Sequence, residues 1–325
     1  MAALDADSCG RQSAQVTTSA QAMRKLLLDL RYRAEYVGLR TIAALVRAAP
    51  LDVACQVSAR IWRLVAPFDR RHRRALDNLA IAFPQKSPSE REAIALAMWE
   101  NLGRVMVETM QLDRIISQPD RIRMTDQTAK VFARYRNKMG PAIGVTLHMG
   151  NWELAAWPLT VAGNNPAAVY RTVKNPYVDR YLRWLRQDLY PGGLLGRGRT
   201  DTQINEGQRT ARLIMDFVRQ GGRLGLVCDL HDRTGLPVPF FGKPARSVTI
   251  PALIARRVGA RIWIGRCMRL GSESRFEIEF KELKVPRSPN PGDDVRSITA
   301  AMQAQFEAWI REAPEQWMWN NRRWS

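Results

Sequence analysis

The sequence predicts an α/β fold: a single domain whose central sheet, mainly parallel or mixed, is flanked by helices and preceded by a helical N-terminal extension. From about Pro141 onward, short apolar runs alternate with segments of helical spacing, as they do in strand-helix repeats around a sheet. Before that point, apolar residues recur at helical spacing only. The 325 residues, 46% of them hydrophobic, suffice for such a core.

The N-terminal part divides at residue 23. Residues 1–23 are small and polar and lack the apolar centre of a signal peptide, so they are expected to form a disordered tail. Residues 24–325 are expected to form one domain, helical over 24–116 and α/β over 140–325. No run reaches the roughly 20 apolar residues that a membrane-spanning helix needs.

The first helix of the domain is amphipathic and basic. Its arginines recur every seven residues at Arg33, Arg40 and Arg47, beside a helical stripe of apolar residues: Leu28, Tyr32, Tyr36, Leu39, Ile42, Ala43 and Val46. Such a helix can lie in a membrane interface, or it can pack on the domain with a solvated basic face. Both interpretations are open at this stage.

The next helix carries a clear start signal. Ser87 is the predicted N-cap, Pro88 the first helical residue and Glu90 the capping-box partner. An apolar stripe follows as far as Leu112. Glu108 lies close to that stripe, which indicates either a polar contact toward the site or a half-exposed helix edge.

Strands and helices alternate in the rest of the chain. Helices are predicted at 176–189, 208–220, 250–258 and 293–312, and strands at 142–147, 167–170, 223–228, 261–268 and 275–281. The last strand alternates strictly between apolar and polar residues, which predicts an edge strand with one solvated face.

Three polar residues follow three of these strands. His148 follows the first, Arg171 the second and Asp229 the third. Because sites of open α/β sheets lie at the carboxyl ends of the strands, we expect these side chains to converge.

His148 and Glu153 can meet only if the chain turns between them, and Gly150-Asn151 supplies a turn. If Asn151 caps the following helix, Glu153 falls in its first turn, where the helix dipole favours a carboxylate. That carboxylate would hold one ring nitrogen of His148 and leave the other free as a base toward a hydroxyl. The alternative is a histidine that satisfies a backbone group beside a helix cap.

The net charge and the cysteine content limit the possible partners, metals and cofactors. A net charge of +19 and a pI near 10.7 predict an anionic partner, namely nucleic acid, an anionic membrane surface or an acidic carrier protein. The four cysteines show neither close pairing nor metal-ligand spacing, and the three histidines are scattered. We therefore expect reduced thiols, no metal and no cofactor.

Several motifs, in order, resemble those of the bacterial lipid A biosynthesis acyltransferases, the lauroyl/myristoyl group of the lysophospholipid acyltransferase superfamily. They are the segments 148–153, 78–84, 101–108, 170–176, 229–242 and 314–324. Two departures stand out. Glu153 replaces the aspartate usual in the wider superfamily, and Asp229 is followed by Leu230 and His231 where relatives often have Asp-Gln, which leaves His231 as a rival base.

The resemblance implies that residues 24–325 form an acyltransferase domain. It would transfer a fatty acyl group from an acyl carrier protein thioester to a hydroxyl of an anionic lipid A precursor, at the cytoplasmic face of the inner membrane. His148 would be the base and Glu153 its orienting acid. The candidate substrate-binding residues are Arg171, Lys174, Asn175, Asp229, Arg322 and Arg323. For Arg171 the structural alternative is a salt bridge to Asp229.

Other hypotheses stay open from the sequence. A related acyltransferase could use coenzyme A thioesters or acylate another phospholipid or glycolipid. A covalent acyl-enzyme on Cys228, with His231 as base, is a mechanistic variant. A basic nucleic-acid-binding module would suit the charge, but its signatures do not appear and no nucleic acid is expected. The late tryptophans Trp309, Trp317, Trp319 and Trp324 suit an interfacial belt, an acyl groove or a core.

Overall fold

The computed structural model describes residues 5–135, 140–197 and 204–324, with side chains described for 21–134, 140–196 and 212–324. It confirms the predicted class: a mixed, mainly parallel sheet lies between helices, and a helical region precedes it.

The helical region begins earlier than expected. Residues 1–4 lie outside the described residues, but the segment predicted to be a disordered tail is helical from Asp5 onward, as the start of α1. Alanine, glutamine and arginine are good helix formers, and no proline interrupts them. The helices of this region are α1 (Asp5–Ala48), α2 (Leu51–Val65), α3 (Arg70–Ala82), α4 (Pro88–Thr109), α5 (Leu112–Ile116) and α6 (Asp126–Tyr135).

The predicted start of α4 is confirmed in detail. The Ser87 hydroxyl accepts a hydrogen bond from the Glu90 N–H, and the Glu90 carboxylate accepts one from the Ser87 N–H at 2.7 Å. This capping box satisfies two backbone donors that the first turn leaves without partners.

Where its side chains are described, from residue 21 onward, the long helix α1 packs on the domain along one side. Ala43 is buried, and Tyr177 and Asn175 of the neighbouring helix bond to Asp29 and to the Tyr32 carbonyl. Large apolar side chains on its other sides are exposed, among them Met23, Leu26, Leu27, Leu30, Val37, Ile42 and Leu45. In the part of the chain that the structure describes, no helix combines the length and the apolarity needed to cross a bilayer.

The main sheet has the strand order β1-β9-β8-β2-β5-β3-β4. The strands from β8 to β4 run parallel, whereas β9 is antiparallel to β8 and carries β1 beside it. Their bounds are β1 (Ile122–Met124), β2 (Ala142–Gly150), β3 (Pro166–Arg171), β4 (Gly193–Arg197), β5 (Arg223–Val227), β8 (Arg261–Arg269) and β9 (Phe276–Leu283). A separate hairpin joins β6 (Leu236–Phe240) to β7 (Lys243–Ser247).

Helices cover both faces of this sheet. In β2 the alternate residues Ile143, Val145 and Leu147 belong to one apolar cluster, which also draws on α9, α10 and α11. Ala142 belongs to a second cluster with residues of α2 and α5. The remaining helices are α7 (Trp157–Val161), α8 (Pro176–Leu185), α9 (Ile204–Arg219), α10 (Ile250–Val258) and α11 (Pro291–Glu312).

The strand prediction needs one correction. β9 is not an edge strand, because the three-residue strand β1 pairs with it on the side away from β8. The polar face of β9 carries Glu277, Glu279 and Lys281, which bond to neighbouring charged side chains rather than to solvent alone. Strict alternation identifies a half-polar face and leaves the sheet position open.

Candidate active site

His148 lies near the carboxyl end of β2, beside the end of β5. Its ring Nδ1 is 2.8 Å from Oδ1 of Asp229, which follows β5. The His148 backbone N–H donates to Oδ2 of the same carboxylate at 2.9 Å. One carboxylate therefore holds both the ring and the backbone of His148. The predicted convergence of these two residues is confirmed.

Asp229 is fully buried and accepts a third hydrogen bond from Trp317, whose indole N–H donates to Oδ2 at 2.6 Å. Burial alone raises the pKa of Asp229. The adjacent His148 ring and the hydrogen bonds from His148 and Trp317 outweigh that effect, so the pKa lies below its ordinary value. Asp229 is thus held as a carboxylate.

An ionised Asp229 decides the tautomer of His148. The carboxylate can only accept, so Nδ1 carries a proton, and in the neutral imidazole Nε2 then has the free lone pair. Nε2 has no hydrogen-bond partner in the described parts of the chain, and the side chain is 18% exposed. The Trp152 ring packs edge-on against the imidazole, with centroids 5.0 Å apart, and limits its rotation. The arrangement suits a general base.

Glu153 does not hold the His148 ring, contrary to our expectation. Its carboxylate accepts two hydrogen bonds from Arg186 at the end of α8, at 2.6 Å and 2.7 Å. Burial lowers the pKa of Arg186, whereas the charge of Glu153 and the hydrogen bonds to it raise the pKa by a larger amount. The pKa of Arg186 therefore lies above its ordinary value. The orienting carboxylate of His148 is Asp229.

The physical reason lies in the turn. Asn151 is the predicted cap, and its side-chain oxygen accepts from the Glu153 N–H at 3.2 Å. The short helical segment that follows carries Glu153 toward α8. Asp229, in contrast, comes from the strand paired directly with β2.

Gly150 allows the turn. Its φ is +57°, and a Cβ there would lie 1.9 Å from the Cys267 carbonyl oxygen, so a side chain is excluded. The register of β2 against β8 shifts between Thr146 and Gly150. Such an irregularity redirects the chain at the end of the strand.

The buried ion pair of Glu108 and Arg269 supports this turn through a hydrogen bond to Asn151. Glu108 of α4 is fully buried and accepts two hydrogen bonds from Arg269 of β8. The same carboxylate accepts one from the Ser274 hydroxyl at 2.8 Å and one from the Asn151 amide at 2.9 Å. Of the two predicted environments, the polar contact toward the site is the one found.

The C-terminal segment completes the site. The Met318 N–H donates to the His148 carbonyl at 3.1 Å, and Met149 forms a bridge with Trp317. The Asn78 amide of α3 donates to the carbonyls of Trp319 and Asn321, at 2.7 Å and 2.8 Å. Two polar residues of the N-terminal motifs, Glu108 and Asn78, therefore position the turn at the site and the C-terminal segment that packs against it.

The candidate substrate-binding residues fall into two groups. Arg171, Lys174 and Arg322 are exposed, and among the described residues no ion pair joins Arg171 to Asp229. Asn175 and Arg323 are buried. Asn175 caps α8 and bonds to α1.

Arg323 is occupied within the protein. It donates to the Arg246 carbonyl, the Ser247 hydroxyl and the Gln303 amide oxygen, at 3.1, 2.8 and 2.9 Å. Its burial lowers the pKa to about 10. Because the side chain is fully buried, it is remote from a phosphate in solvent.

The structure also bears on three remaining hypotheses from the sequence, which concern Cys228 as nucleophile, His231 as base and the late tryptophans. Cys228 is fully buried in the apolar core, which does not suit a nucleophile. His231 is partly buried, and its Nδ1 has no hydrogen-bond partner in the described ranges. Trp309, Trp317 and Trp319 are buried core residues, so the core interpretation applies to these three.

The fold and the site define an α/β protein with a histidine–carboxylate pair at the carboxyl ends of its parallel strands. The family model of the bacterial lipid A biosynthesis acyltransferases matches residues 21–325, and the chain belongs to this family. It is an O-acyltransferase of the late lipid A type, acting in lipid A biosynthesis.

Individual relatives have low sequence identity to this chain, but the matches cover most of both sequences. The lipid A biosynthesis lauroyltransferase of Escherichia coli K12 is 24% identical over 91% of this chain and 93% of its own length. The myristoyltransferase of the same strain is 26% identical over 89% of this chain and 86% of its own. The phosphatidylinositol mannoside acyltransferase of Mycobacterium tuberculosis H37Rv is 23% identical over 70% of this chain and 68% of its own.

Proposed function

We propose that this enzyme transfers a fatty acyl group from an acyl carrier protein thioester to a hydroxyl of a lipid A precursor, with His148 as general base. The observation that supports this most directly is the His148–Asp229 pair. It fixes the proton on Nδ1 and leaves Nε2 open at the carboxyl end of the parallel strands.

The steps follow from this pair. Nε2 of His148 takes the proton of the acceptor hydroxyl while the oxygen of that hydroxyl attacks the thioester carbonyl. The new C–O bond forms, the C–S bond breaks, and the leaving thiolate receives the proton from the imidazolium. Asp229 stabilises the imidazolium in between, since its carboxylate lies 2.8 Å from Nδ1.

We propose that Glu153 acts by holding the segment that orients the base. Its ion pair with Arg186 anchors the segment that begins at Asn151 and places Trp152 against the His148 ring. Glu153 thus contributes to catalysis through the orientation of the base, without a hydrogen bond to it.

The charges support an anionic donor and acceptor. The net charge is +19, and the exposed cations Arg171, Lys174 and Arg322 are available for the phosphates of a lipid A precursor. An acidic carrier protein would be attracted by the same excess of positive charge. We propose that the enzyme works at the cytoplasmic face of the inner membrane, as a peripheral protein.

A second candidate differs in its substrates. The similarity to a phosphatidylinositol mannoside acyltransferase favours keeping another phospholipid or glycolipid acceptor as the alternative. A coenzyme A thioester is the alternative donor. The proposed base would serve any acceptor hydroxyl equally well.

Mass spectrometry separates these candidates. The purified enzyme is incubated with a tetra-acylated lipid A precursor, or with a phosphatidylinositol mannoside, and with a panel of acyl carrier protein and coenzyme A thioesters. We expect the lipid A precursor to gain one acyl mass from a carrier protein thioester. Acylation of the mannoside alone, or transfer from coenzyme A alone, would establish the alternative. No gain with any pair would contradict both.

We expect Glu153→Gln to lower kcat by about tenfold to 10²-fold, since a weakened anchor misplaces the base without removing it. Arg186→Met should have a similar effect, and the double variant should be little worse than either single one. A kinetic double-mutant cycle measures this coupling. Independent, additive losses would show that Glu153 acts on the reaction without Arg186.

A further inference from the structure

α2 has an inner face that accounts for its place in the fold. Leu51, Ala54, Cys55 and Ala59 are buried, and the helix packs along α4. The Ser58 hydroxyl donates to the Gly103 carbonyl of α4 at 2.8 Å. This face is sufficient to hold α2 on the domain.

A second side of α2 is apolar as well. Val53, Val57, Ile61, Leu64 and Val65 are between 49% and 72% exposed. At helical spacing they occupy an arc of about 120°. Phe68, in the turn that follows, is 89% exposed. We refer to these six residues as the outer face.

Exposed arginines border the outer face on α2 and follow it in the sequence. Arg60 lies beside it on α2, and Arg70, Arg71 and Arg73 follow Phe68 at the start of α3. All four are exposed. An exposed apolar face rimmed by arginine is the composition of a helix that lies in an anionic lipid interface.

We propose that the outer face inserts into the interface of a bilayer containing anionic lipid, with the bordering arginines at the headgroups. This rests on the proposed function, because the acceptor is then a membrane lipid. The helix α1, which α2 follows directly after Pro50, also exposes large apolar side chains and would lie in the same interface. Two helices of fixed relative direction would orient the protein on the membrane, whereas a single helix leaves rotation about its axis.

The test uses the full chain and vesicles of phosphatidylethanolamine with anionic phosphatidylglycerol. The variant Ile61→Glu/Leu64→Glu places two carboxylates on the outer face. Its matched control is Leu213→Glu/Leu253→Glu, two leucines on α9 and α10 that are 53% and 50% exposed. Thermal unfolding and circular dichroism verify that both variants are folded.

We expect the α2 variant to bind vesicles at least about tenfold more weakly than the wild type, and the control to bind as the wild type does. Both variants should keep their turnover on a detergent-dispersed acceptor. Vesicle binding is measured without turnover, so failure of the proposed reaction leaves this result readable.

Two results would overturn the inference. One is vesicle binding of the α2 variant that equals that of the control. The other is a change of molar mass in light scattering, with vesicle binding preserved, which would identify the outer face as a contact between protein chains.

Discussion

His148→Ala is expected to lower kcat by about 10³-fold or more while the protein remains folded, because the base is removed and no other group takes its place. Asp229→Asn should cost about 10²-fold to 10⁴-fold, since an amide in place of the carboxylate neither fixes the proton on Nδ1 nor stabilises the imidazolium. Steady-state kinetics with saturating donor and acceptor measures both.

Matched variants identify the origin of these losses. Trp317→Phe removes the indole donor to Asp229 and keeps the carboxylate, so its effect should be much smaller than that of Asp229→Asn. His231→Ala should leave kcat close to the wild-type value. If His231→Ala were the inactivating change, the base would belong to the segment after β5, and the assignment of His148 would be wrong.

Glu108→Gln is expected to lower the free energy of unfolding by about 3–5 kcal/mol, because it leaves the Arg269 guanidinium buried without its counter-charge. Chemical denaturation monitored by circular dichroism measures the change. Glu277→Gln is the control: this glutamate pairs with Arg123, whose side chain is 65% exposed, and its loss should cost less than about 1 kcal/mol.

The pair also predicts a compensated double variant. Glu108→Leu combined with Arg269→Met removes both charges, so it should unfold less readily than Glu108→Gln alone. Its kcat should still fall, since the Asn151 amide loses its acceptor beneath the turn. Equal stability of Glu108→Gln and the wild type would show that the ion pair contributes nothing to the fold.

Local features were predictable from the sequence because their causes are local. The capping box at Ser87 and Glu90 depends on residues three apart, and the apolar run before His148 depends on its neighbours. Asn151 caps the next helical segment as expected. The meeting of His148 with Asp229 followed from the rule that parallel strands end at one edge of the sheet.

The contacts of Glu153 with Arg186 and of Asp229 with Trp317 could not be predicted from local sequence rules. Arg186 lies 33 residues after Glu153, and Trp317 lies 88 residues after Asp229. Both contacts depend on how α8 and the C-terminal segment pack, which no spacing rule specifies. The same holds for Arg269 and Glu108, which lie 161 residues apart and meet only when α4 packs against β8.

The contact of Trp317 and Met318 with the base has a consequence for local unfolding. Trp317 bonds to Asp229 and Met318 bonds to the His148 carbonyl, so the base depends on a segment that lies outside the main sheet. Proteins open locally as well as globally. Opening of this segment alone would release the base from its support while the sheet stays folded, so activity would be lost at a lower denaturant concentration than secondary structure.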